Sequence, residues 1–295
     1  MKPPEPLASN RGEGRLEPPA LQQHGVVRFD RLDALRGLAI VWMAGFHFCF
    51  DLNHLGFWSP REDFYGDPFW TVQRTAIVSL FLFCAGLSQA VALHGGQSWP
   101  RFWRRWLQVA GCALMVSAGS ALMFPRSWIS FGVLHGIAVM LLLTRLLAFA
   151  LPGFMMAPGL TARTAQSRRH ASETESSVIG GLGLWVLLLL GAACLLLPAL
   201  VSHPFFDTRW TNWVGLVTRK PITEDFVPVL PWLGVMLWGL AAGRWLLARR
   251  PSWLAGDLPV FARPLAGLGR WSLSFYMVHQ PVLIGALMLV ATMRA

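Results

Sequence analysis

The sequence predicts an all-α fold: a polytopic transmembrane helical bundle of about seven spans, with its N-terminus in the cytoplasm. Three observations carry that expectation. The 295 residues are 54% hydrophobic and only 14% charged, too apolar for an ordinary soluble domain. Apolar runs of spanning character recur along the chain, and the arginines concentrate in alternate connections between them.

Taken in order, the runs lie at 38–52, 76–93, 106–124, 128–143, 178–201, 227–247 and 271–293. A span needs roughly 20 residues to cross about 30 Å of hydrocarbon, so the first and fourth runs reach that length only if neighbouring polar residues are included. Lys2, Arg11, Arg15, Arg28 and Arg31 precede the first run; Arg101, Arg104 and Arg105 lie between the second and third. Arg163, Arg168 and Arg169 fall between the fourth and fifth, and Arg249, Arg250 and Arg263 between the sixth and seventh. The opposite connections carry Arg61, Arg126, Arg209, Arg219 and Lys220. This asymmetry assigns the net charge of +10 to membrane orientation rather than to a nucleic-acid partner, and an odd number of spans puts the C-terminus outside.

Residues 1–27, rich in Pro, Gly and Glu, are expected to form a disordered cytosolic tail rather than a cleavable signal peptide, and 28–295 the membrane domain. The polar segment 152–177 is expected to be a flexible cytosolic loop. Cys49, Cys84, Cys112 and Cys194 show no paired spacing, so neither a disulfide framework nor a metal site is expected.

The first span is unusual. Asp33, Arg36, Ile40, Met43, His47, Asp51 and His54 follow one another at i+3 or i+4 steps and share one helix face. Ionisable groups inside a membrane are costly and point to function. The His47 and Asp51 spacing suits a carboxylate that orients an imidazole as general base. His135 and His279 each lie nine residues from an arginine that marks a membrane edge, about 13.5 Å of helix, so three histidines are expected at similar depth around a polar cavity. An interhelical hydrogen bond is the competing role for His135. Pro281 follows His279 and frees a backbone carbonyl. Asp225, at the outer mouth of the sixth run, suits an amine or hydroxyl on an acceptor, or else a solvated helix start. Trp58, Trp70, Trp128, Trp210, Trp213 and Trp271 are expected in an interfacial belt. No phosphate loop, nucleophile elbow or zinc-protease helix is present.

Four blocks in order carry a resemblance. Asp33-Ala-Leu-Arg-Gly-Leu-Ala-Ile with Phe46-His-Phe-Cys-Phe-Asp-Leu, then Phe131-Gly-Val-Leu-His-Gly-Ile-Ala, Asp225-Phe-Val-Pro-Val-Leu-Pro-Trp-Leu-Gly, and Leu268-Gly-Arg-Trp-Ser-Leu-Ser-Phe-Tyr-Met-Val-His-Gln-Pro resemble the bacterial branch of the heparan-alpha-glucosaminide N-acetyltransferase catalytic-domain family. The Arg36 and His47 pair, an Arg followed by ten residues and a His, also resembles the acyltransferase-3 family. The resemblance implies a multi-pass enzyme of a bacterial inner membrane. It implies transfer of an acetyl or other short acyl group from cytosolic acyl-CoA, without a metal, to the amine or hydroxyl of an extracytoplasmic sugar or glycan. Asp33, Arg36 and Arg270 would then hold the donor, His47, Asp51, His54 and His279 would do the chemistry, and His135 and Asp225 would meet the acceptor. His54 is the nearest counterpart of the lysosomal enzyme's functional histidine, whereas His47 occupies the acyltransferase-3 position. A proton-coupled transporter or flippase of a sugar intermediate, using the same groups as a proton relay, is the alternative.

Overall fold

The computed structural model describes residues 29–150 and 172–294. They form an all-helical bundle in which seven helices are long and apolar enough to cross a membrane. These are α1 (Asp30–His54), α2 (Pro68–His94), α3 (Trp99–Met123), α4 (Val133–Ala150), α5 (Ser172–Leu200), α6 (Val229–Arg249) and α9 (Ser272–Arg294). Two short helices, α7 (Pro251–Ala255) and α8 (Arg263–Arg270), join α6 to α9. The expected tail at 1–27 and most of the expected loop at 152–177 lie outside the described residues; α5 begins at Ser172, inside that loop's far end.

Four helices start or stop away from the apolar runs, each for a visible reason. α1 begins eight residues before its run because Asp30, Asp33 and Arg36 are held by ion pairs rather than ending the helix. α2 begins at Pro68, with the Asp67 carboxylate accepting from the Phe69 amide at 2.7 Å, a helix start set by a side-chain cap and a proline in the first turn. Arg101, Arg104 and Arg105, expected in a loop, instead ride on the first two turns of α3, which opens with Ser98 and Pro100. α4 is displaced towards the C-terminus. Its expected start is drawn aside because the Ile129 amide donates to Ser120 Oγ at 3.0 Å and the Ile129 carbonyl accepts from Ser117 Oγ at 2.7 Å; its end runs past a buried Arg145. Trp70, expected at the membrane edge, is buried and stacked on Phe64 with ring centroids 3.9 Å apart.

α6 is the hub, packed against α2, α4 and α5. In lipid, helices gain most by letting backbones approach, and small residues permit it. Gly86 on α2 and Gly239 on α6 do so: a Cβ at the first would stand 2.0 Å from the Met236 carbonyl oxygen, and at the second 2.2 Å from that of Phe83. Leu82, Met140, Val227, Val229 and Met236 fill the centre where α2, α4 and α6 meet. α1 packs against α2, α8 and α9, and this places its polar stripe between α2 and α9.

Candidate active site

The stripe on α1 turns inward over most of its length. Ile40, Met43 and Asp51 are buried, Asp33, Arg36 and His47 are partly buried, and His54 is exposed, stacked on Phe50. At its N-terminal end Asp33, Arg36 and Arg270 come together. Arg36 Nη1 meets Asp33 Oδ1 at 2.7 Å, while Arg270 reaches Asp30 at 2.8 Å and Asp33 at 3.8 Å. The other Arg36 nitrogen donates to Ser88 Oγ, which in turn donates to the Cys84 carbonyl.

A cavity of about 300 Å³ opens beside this cluster. Arg36, Gln97 and Arg105 line it, and Val133, Ile137 and Tyr276 form its apolar wall. Along α2 its lining runs from Phe81 to Ala92, eleven residues or about 16.5 Å of helix. Its lining mixes two guanidinium groups and the polar Ser88, Gln89, Gln97 and Ser272 with a larger set of apolar side chains.

One turn beyond Tyr276 stands His279, 8% exposed. Its Nδ1 lies 2.8 Å from the Tyr276 carbonyl oxygen. A carbonyl only accepts, so Nδ1 carries the proton and Nε2 presents a lone pair. Nε2 is buried and has no hydrogen-bond partner among the described residues. The His47 ring lies 5.2 Å away, centroid to centroid, at 57°. Two of the three mid-depth histidines thus converge, and the fixed tautomer of His279 is the one a general base needs.

Asp51 is held otherwise than the i to i+4 spacing suggests. Both its oxygens accept from Gln280 Nε2 on α9, at 3.0 and 3.2 Å, and no hydrogen bond joins it to His47 among the described residues. The reason is the neighbouring helix: α9 supplies an amide donor to Asp51, while the His47 ring packs against His279. Asp51 therefore fastens α9 to α1 beside His279.

His135 and Asp225 meet at the start of α4. Gly132 N–H donates to His135 Nδ1 at 3.3 Å, leaving the proton on Nε2, which faces Ser117 Oγ at 3.1 Å; the hydroxyl passes the chain on to the Ile129 carbonyl. Both ring nitrogens are occupied, which is the interhelical role weighed for this residue. Asp225 Oδ2 accepts from the Val133 amide at 2.7 Å, satisfying another free donor of the helix start.

Asp225 lies outside the membrane-spanning segments, and burial pushes its carboxyl from 3.8 up to about 6. A carboxyl raised on folding stabilises the protein below its unfolded value and loses that contribution as pH rises through about 6. Asp225→Asn keeps an acceptor for Val133. Its thermal midpoint in detergent should therefore match wild type below pH 3.8 and exceed it increasingly towards pH 6. A wild-type advantage that grows with pH would show that the charge on the helix start outweighs burial.

Several site residues escaped the sequence reading. Gln280, Ser88, Gln97 and Tyr276 are neutral, and only Gln280 and Tyr276 stood inside a quoted block. Among the described residues no group of three or more His, Cys, Asp or Glu side chains is placed to hold a metal ion.

The family model described as heparan-alpha-glucosaminide N-acetyltransferase, catalytic, matches residues 28–170 and 176–281. No curated protein and no solved structure matches the chain.

Proposed function

Because the chain belongs to the heparan-alpha-glucosaminide N-acetyltransferase catalytic family, we propose that it transfers an acetyl or other short acyl group from cytosolic acyl-CoA to an extracytoplasmic sugar or glycan. The family implies acetyltransferase activity. The observation that carries the finer reading is the cavity, which has Arg36 and Arg105 in its lining and reaches Tyr276, one turn from His279. A thioester donor is a phosphate-rich nucleotide on a long arm, and guanidinium groups suit its phosphates while apolar walls suit the arm. Arg36 and Arg105 would hold the charged end, with Arg270 keeping Asp33 in place beside them.

In this reading His279 Nε2 takes the proton from the acceptor amine or hydroxyl as that atom attacks the thioester carbonyl. The carbon–sulfur bond breaks, and the departing thiolate recovers the proton from the imidazolium. His47 is the neighbouring ring able to pass the proton onward. The arginine placement supports a cytoplasmic N-terminus; in this reading the membrane is a bacterial inner membrane and the acceptor approaches from the opposite face.

Purified protein should bind acetyl-CoA in calorimetry more tightly than ATP. Arg36→Ala should weaken that binding about 10- to 100-fold, the worth of a hydrogen bond to a charged group. Absence of acetyl-CoA binding by wild type would overturn the proposal. Sugar movement across proteoliposomes without acylation would establish the transporter reading instead.

A further inference from the structure

Arg145, on α4, is the largest fully buried side chain among the described residues, 1% exposed, and no carboxylate among them pairs with it. Its guanidinium carbon sits over three rings, those of Trp99, Phe102 and Phe149, at 5.3, 5.1 and 5.4 Å. Nη1 donates to Gln97 Oε1 at 3.3 Å and Nη2 to the Gln97 carbonyl at 2.6 Å, while Nε has no partner among the described residues. A cation buried without a counter-ion is costly, and an apolar side chain of similar volume would pack there at lower cost. The two-point grip on Gln97 is what the guanidinium adds.

Gln97 closes the turn that follows the end of α2. Its amide donates to the Ala92 carbonyl at 2.9 Å across Gly96, whose φ of +64° is the left-handed turn that such a helix end requires. Gln97, Ala92 and Phe102 all line the cavity beside Arg36, and Phe102 is also one of the rings around Arg145. We infer that Arg145 is a positioning residue which, by clamping Gln97 and Phe102, sets the shape of that end of the cavity and hence the affinity for the acyl donor. The inference rests on the donor reading of the cavity.

The test compares Arg145→Lys, which keeps the charge and ring contact but cannot grip both oxygens, with Arg145→Met, which keeps only volume. Two measurements are made on each detergent preparation: acetyl-CoA kinetics, and backbone deuterium exchange over residues 95–98. A clamp predicts faster exchange there and a donor KM raised at least tenfold in both variants, with kcat within twofold of wild type. Should Arg145→Met fail to fold, Arg145→Lys alone decides. Wild-type KM in Arg145→Lys, unchanged exchange at Gln97, or loss of kcat with KM preserved would each overturn the inference. Acetyl-CoA binding by wild type is measured first: its absence defeats the donor reading and with it this inference, whereas wild-type binding with normal KM in the variants defeats the inference alone.

Discussion

His279→Ala should retain acetyl-CoA binding and lose about 10²- to 10⁴-fold in turnover, the usual worth of a positioned general base. The expectation follows from the Tyr276 carbonyl, which fixes the imidazole proton on Nδ1 and leaves a buried Nε2 with no partner among the described residues, in a ring 5.2 Å from that of His47. Single-turnover rates and donor affinity measured together would decide it. A near-normal rate in His279→Ala with a collapsed rate in His47→Ala would move the base to His47. Asp51→Asn provides the complement. An Asn there can accept from Gln280 Nε2 and donate to Gln280 Oε1, which has no partner among the described residues, so turnover and its pH profile should stay close to wild type. A slowed variant with a displaced pH profile would restore a direct Asp51 to His47 pairing.

The second large effect lies in packing. Gly37 on α1 and Gly269 on α8 meet backbone to backbone. A Cβ on Gly37 would stand 1.9 Å from the Leu265 carbonyl oxygen, and one on Gly269 1.8 Å from that of Asp33. Gly37→Ala or Gly269→Ala must therefore push α8 away from α1, at about 1–3 kcal/mol or more for overpacking a rigid contact. Arg270 ends α8, so the same displacement withdraws it from Asp30 and Asp33, and donor affinity should fall with stability. Gly267→Ala, on the same short helix with nothing within 4 Å, should leave both unchanged or raise stability slightly. Melting in detergent alongside acetyl-CoA titration separates the three variants; equal behaviour of Gly267→Ala and Gly269→Ala would defeat the argument.

The bundle was legible from hydropathy because a membrane leaves the backbone little choice but helix. Its boundaries were less so, since charges were counted as breaks. Asp30 and Asp33 are paired and Arg145 is enclosed by aromatic rings, and the helices continue through all three. Helical periodicity placed Asp33, Arg36, His47 and Asp51 on one face, and a depth estimate brought His47 and His279 to one level. Periodicity on one helix is silent about what a neighbouring helix offers. Gln280 captured Asp51, and Ser117 with Gly132 occupied His135, through contacts that only the assembled bundle creates. His54 belongs to the same face by spacing, yet it lies at the last residue of α1, where the stripe has emerged into the open.

Tyr276 joins two parts of the molecule in a way that bears on the order of events. Its side chain lines the cavity, and its carbonyl holds the His279 proton. A molecule seated in the cavity would touch the residue whose carbonyl aims the imidazole. Under the proposed reaction this favours a compulsory sequence, donor before acceptor, and a ternary complex rather than two separate half-reactions. Initial-rate patterns would then intersect instead of running parallel, and a dead-end donor analogue would compete with acetyl-CoA alone.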